Sequence, residues 1–167
     1  APIRSEQTNL GQVITKSMAF AYDNKLDAAL VNGGSIRIDD ELTRSITPVD
    51  IFRVLPYGGN VLKVELKGSL LKRVLNYGEK AAGTGAYLHR YKVNFVNGIW
   101  MVNGSPINET KTYKVAFSDY LLRGFDIPFL SNKNPEVISI YTPKNNELGV
   151  DIRKAVVAFL KTKKSAK

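Results

Sequence analysis

The chain has 167 residues, 44% of them hydrophobic, with 24 lysines and arginines against 15 aspartates and glutamates, a formal charge of +9, one histidine and no cysteine. Such a hydrophobic share suits one folded domain and argues against disorder. The absent cysteines exclude disulfides and thiolate metal sites, and a lone histidine excludes a histidine-rich dimetal centre.

No apolar run reaches the length of a membrane span, and the opening APIRSEQ lacks the charged-then-apolar pattern of a leader. Lys161, Lys163, Lys164 and Lys167 crowd the last seven residues. Residues 161–167 therefore read as a basic, disordered tail to a domain spanning 1–160, and the lack of interleaved aromatics argues against a nucleic-acid arm. Without those four lysines 20 basic residues face 15 acidic ones. That mild excess fits an anionic ligand as well as simple solubility.

In chain order, TNLGQVITKSMAFAYD carries Leu10, Val13, Ile14, Met18 and Ala21 at helical spacing, with Thr8 or Asn9 placed as cap. DAALVN reads as a short buried strand running into the loop NGGSIR, Asn32 to Arg37. In TPVDIFRVLP, Thr47, Pro48 and Asp50 occupy the N-cap, N1 and N3 positions of a capping box, and Pro56 ends the helix. NVLKVELKG alternates Leu62, Val64 and Leu66 with Lys63, Glu65 and Lys67, the pattern of an antiparallel strand with one buried face. SLLKRVLNYGEKA reads as a second amphipathic helix stopping near Gly78 or Gly83.

The single histidine, His89 in AYLHRYK, has no nearby carboxylate to orient it as a triad base and reads as a structural residue at a strand end. Around Asn97-Gly98, YKVNFVNGIWMVNG predicts a two-residue hairpin. TYKVAFS predicts a strand delivering the chain into DYLLRGFDIPF, a short helical or turn segment stopped by Gly124, and ELGVDIRKAVVAFLK predicts a last helix. Helices mixed with a hairpin and single strands indicate one α+β domain, its helices packed on a mixed, largely antiparallel sheet.

Three loops compete for function: NGGSIR, whose two glycines bend the chain or let a ligand approach the backbone; LPYGGN, where a tight turn leaves Tyr57 projecting; and SDYLLRGFD, which places Tyr120 and Asp126 beyond a strand end. Each taken alone is equally compatible with an ordinary turn. Arg37, for instance, could merely pair with Asp39 or Asp40 on the surface.

Taken together, TNLG, NGGSIR, LPYGGN followed by VLKVELKG, GAYLH and DYLLRGFD resemble, in order and approximate spacing, the C-terminal domain of the 5′-nucleotidase family, from about Arg4 to the final helix. The resemblance implies a nucleotide-recognition domain with no metal or cofactor of its own. Its partner would be an N-terminal metallophosphatase domain holding two divalent metal ions, in a periplasmic or extracellular protein. Carried over by position, it implies phosphate contacts from Arg4 and Arg37, a base contact from Asn32, stacking of the base between Tyr57 and Tyr120, and ribose hydroxyls held by Asp126. The set is chemically coherent: guanidiniums bind phosphate oxygens bidentately, aromatic faces stack any base, and a carboxylate accepts from vicinal hydroxyls.

Two departures stand out. Both stacking positions, usually phenylalanine, are tyrosine, and Phe125 replaces the second of two glycines before the acidic residue. Three other readings are a stand-alone nucleotide- or nucleic-acid-binding module, a domain for cyclic nucleotides, and one for nucleotide sugars.

Overall fold

The computed structural model describes residues 2–37 and 46–165. A single 3-10 turn, Pro2–Arg4, precedes helix α1, Asn9–Phe20. Thr8 caps it, its hydroxyl accepting from the Gly11 N–H at 3.0 Å. Strand β1, Ala28–Asn32, is buried along its whole length and runs into a 3-10 turn, Gly33–Ser35.

Helix α2, Pro48–Val54, starts on the expected capping box, with the Thr47 N–H donating to Asp50 Oδ2 at 2.8 Å and the Thr47 hydroxyl accepting from the Asp50 N–H. Strand β2, Val61–Lys67, leads into helix α3, Gly68–Lys80. This helix ends at Lys80, between Gly78 and Gly83, the two stops offered by sequence, and includes Gly78. A Cβ at Gly78 would lie 2.8 Å from the Leu88 side chain, so the glycine is there for packing.

Next come β3, Leu88–Tyr91; β4, Val93–Val96; β5, Ile99–Val102; and β6, Ser105–Pro106. Asn97 and Gly98, with φ of 49° and 77°, form the predicted hairpin between β4 and β5. A second, unpredicted turn of the same kind at Asn103-Gly104 adds β6. Strand β7, Thr112–Ser118, then runs into a 3-10 segment, Asp119–Leu122, and Gly124 follows at φ 76°. Strand β8, Val137–Tyr141, has no counterpart in the sequence reading. Helix α4, Ile152–Ser165, starts later than expected, because Leu148–Val150 is a separate 3-10 turn, and it continues into the basic segment read as a tail.

The main sheet has the order β3-β1-β7-β2-β8, all neighbours antiparallel except β1 and β7. Strands β4 to β6 form a separate small sheet. On one face of the main sheet, Leu70, Leu71, Val74 and Leu75 of α3 pack on Leu30, Val64, Val115 and Phe117. Against the other lie Ile14 and Met18 of α1, Ile51 of α2 and Val156 of α4, covering Val31, Val61 and Ala116. β1 along its whole length and β7 from Val115 onward are thus buried on both faces, as strands of a covered parallel pair are.

Topology decides where the loops go. Parallel pairing of Leu30 with Phe117 brings the exits of β1 and β7 to the same sheet end. Antiparallel pairing of Val61 with Ser118 sets the entry to β2 beside them, and pairing of Asn32 with Leu88 adds the entry to β3.

Candidate functional site

The backbone at this end of the sheet is drawn tightly together. The Gly33 N–H donates to the Tyr87 carbonyl at 2.7 Å, the Gly34 N–H to Gly85 at 2.9 Å, and the Gly83 N–H to Arg4 at 2.7 Å. A Cβ on Gly33 would stand 2.5 Å from the Ile3 carbonyl oxygen, and one on Gly34 3.0 Å from Gly85 Cα. The two glycines of NGGSIR therefore permit close approach of neighbouring backbone, and Gly34 also lines the cavity at this end of the sheet.

Glycines 58 and 59 are of another kind. Their φ angles of 62° and 97° build the turn that projects Tyr57, and a Cβ on Gly59 would press on the Asp119 carboxylate at 2.8 Å. That carboxylate accepts from the Asn60 N–H at 3.0 Å, tying the β2 entry to the β7 exit.

These segments enclose a cavity of about 580 Å³, and Arg4, Asn32, Arg37, Tyr57, Tyr120 and Asp126 all line it. Asn32, 1% exposed, has its amide fixed: Oδ1 accepts from the Ser35 hydroxyl at 2.7 Å and from Ser118 at 3.4 Å, while Nδ2 donates to Asp126 Oδ2 at 2.8 Å. Two hydroxyls thus orient the amide that holds the carboxylate, leaving Asn32 one N–H to offer. The guanidinium of Arg37 lies 5.7 Å from the centre of the Tyr57 ring, which is 72% exposed. Tyr120 enters from the opposite loop, its ring 5.8 Å from that of Phe125.

Asp39 and Asp40, the surface partners considered for Arg37, lie outside the described residues. Among the described residues Arg4, Arg37 and Arg123 make no ion pair, and all three line the cavity. Sequence reading passed over Ser35, Ser118, Asp119 and Arg123, although all four lie within or beside the quoted loops. Only the cross-sheet pairing shows that Ser118 and Ser35 reach one amide.

His89 sits inside β3, fully buried, rather than at a strand end. Its Nε2 is 2.6 Å from the Ile3 carbonyl oxygen, an acceptor, so the proton belongs on Nε2. Nδ1, without a hydrogen-bond partner, faces Gly11, where a Cβ would come within 1.9 Å. Burial pushes the imidazole pKa below its ordinary 6.5; the Ile3 hydrogen bond opposes this and Arg90 adds to it. The histidine therefore anchors the turn that carries Arg4.

The family described as "5′-nucleotidase, C-terminal domain" matches residues 1–131. The chain belongs to this family. Relatives include the mouse 5′-nucleotidase, 28% identical over 74% of this chain and 27% of its own length. Protein UshA of Yersinia enterocolitica is 29% identical over 74% of the chain and 23% of its own length. The crystal structure of a 5′-nucleotidase precursor from Thermus thermophilus superposes with a TM-score of 0.79 at 23% identity, covering 97% of this chain and 34% of that one. This last likeness establishes the fold. The chain spans about a quarter of the length of these curated relatives. Among the described residues no helix is long and apolar enough to cross a membrane.

Proposed function

We propose that the chain is the nucleotide-recognition domain of a 5′-nucleotidase-like metallophosphoesterase, binding base, ribose and phosphate for hydrolysis by a separate N-terminal domain with two divalent metal ions. The observation that carries this reading is the convergence of Arg4, Asn32, Arg37, Tyr57, Tyr120 and Asp126, from separate segments, on one cavity. The guanidiniums of Arg4 and Arg37, in no ion pair among the described residues, supply an anion end, the two tyrosines supply faces for a base, and Asp126, held by Asn32, supplies an acceptor for ribose hydroxyls. The domain contributes position, and the metal-bearing domain contributes the attacking water. Relatives that include a snake venom 5′-nucleotidase support a periplasmic or extracellular setting.

Titration of the chain with adenosine and adenosine 5′-monophosphate tests the reading. Tyr57→Ala and Tyr120→Ala should each weaken both ligands by about 1–3 kcal/mol. Arg37→Lys, which keeps charge but loses the fork, should weaken the nucleotide and spare the nucleoside. Equal effects of Arg37→Lys on both ligands, or none on either, would return NGGSIR to being an ordinary turn.

A further inference from the structure

The nucleotide reading leaves one cavity-lining cation without a task. A 5′-phosphate is matched by Arg4 and Arg37, which arrive from the N-terminal turn and the β1 exit. Arg123 arrives on a different segment, the one that joins Tyr120 to Asp126 beyond the β7 exit.

That segment is firmly built. The Arg123 N–H donates to the Tyr120 carbonyl at 3.1 Å, Arg123 bridges to Ser131, and Gly124 turns the chain at φ 76°. Among the described residues neither carboxylate of the cavity forms an ion pair with Arg123: Asp119 accepts from the Asn60 N–H and Asp126 from the Asn32 amide. Its neighbour Phe125 is 68% exposed beside Tyr120, and Arg123 is itself exposed, so this side of the cavity faces solvent. A guanidinium that has no ion-pair partner among the described residues, beside a carboxylate that accepts from Asn32, is matched by a ligand that brings a second anion there.

We infer that Arg123 forms a second anion subsite on the ribose side, so that the pocket takes nucleotides carrying a phosphate group on the 3′-oxygen in addition to the 5′-phosphate. The inference rests on the nucleotide reading of the same cavity. Asp126 accepts from the remaining 2′-hydroxyl while the guanidinium fork, three residues earlier on the same segment, meets the 3′-phosphate oxygens.

The test compares adenosine 5′-monophosphate with adenosine 3′,5′-bisphosphate by calorimetric titration of the chain at low ionic strength. In the unaltered chain the bisphosphate should bind about tenfold more tightly, the gain of one charge-assisted contact. In Arg123→Gln, an exposed substitution that removes no core contact, the ratio should fall to about one. A ratio of about one in the unaltered chain, with monophosphate binding still dependent on Arg37, would overturn the second subsite and leave the nucleotide reading standing. A ratio that persists in Arg123→Gln would overturn it equally, by moving the second phosphate to another cation. If the monophosphate shows no binding that depends on Arg37, the nucleotide reading falls and the subsite with it.

Discussion

At the scale of single residues, His89 and Gly11 form one device. The buried imidazole stays neutral, with Nε2–H held by Ile3 and bare Nδ1 against the glycine. Because the folded pKa lies below the ordinary 6.5, the unfolded chain takes up the proton first as pH falls. This contribution to stability is therefore complete above that value and is lost as pH drops from it toward the depressed folded pKa. Chemical denaturation of the chain between about pH 7 and 5 should show a falling stability. His89→Gln, which keeps a donor for Ile3 but does not titrate, should show a flatter profile, and identical profiles would remove the imidazole from the account. Gly11→Ala places a methyl where the ring stands and should cost on the order of 1–3 kcal/mol. The glycine of TNLG was visible in the sequence, yet its reason was not: the ring that needs the space comes from a strand 78 positions later.

Elements were legible where a local rule made them. Helix α2 is seven residues long and amphipathic only weakly, but Thr47, Pro48 and Asp50 announced it, and the capping box is present. Thr47→Ala should lower stability by about 0.5–2 kcal/mol and leave the sheet unchanged in far-ultraviolet circular dichroism. An unaltered melting point would mean that packing of Ile51 and Val54 holds the helix without its cap. The hairpin at Asn97-Gly98 was equally plain, since both residues adopt the positive φ that such turns demand. Strand β8 was not. Its sequence, VISIY between Pro135 and Pro143, carries a β-branched and aromatic run that the reading passed over; in the fold it is a short edge strand with Ile138 50% exposed and a register shift opposite Glu65 and Leu66. Helix α3 ends at Lys80, between the two glycines offered as its stop, so Gly78 lies inside it. A glycine that makes room for Leu88 looks, in one dimension, like a glycine that ends a helix. The candidate residues themselves came from resemblance to a family; their meeting at one sheet end is a property of strand order that no local pattern contains.

At the scale of the whole molecule the question is whether the formal charge of +9 or the cavity selects anions. A basic protein attracts any phosphate diffusely, and that attraction weakens as the Debye length falls from about 10 Å at 0.1 M salt to about 3 Å at 1 M. A built site adds dependence on particular cations. Two substitutions that remove the same charge separate these effects. Arg37 lines the cavity at the β7 exit end of the sheet, whereas Lys114 lies exposed toward the start of β7, its side chain in no ion pair among the described residues. Ligand at a hundred times its Kd adds about 2.7 kcal/mol of stability, and each kcal/mol raises Tm by about 2–4 °C in a domain of this size. In dilute salt, adenosine 5′-monophosphate should therefore raise the melting temperature of the unaltered chain by more than adenosine does. Lys114→Gln should preserve that excess, and Arg37→Gln should abolish it although the net charge of the two variants is the same. Should both variants lose the excess alike, the attraction is diffuse, and the guanidiniums around the cavity are no more than part of a basic surface.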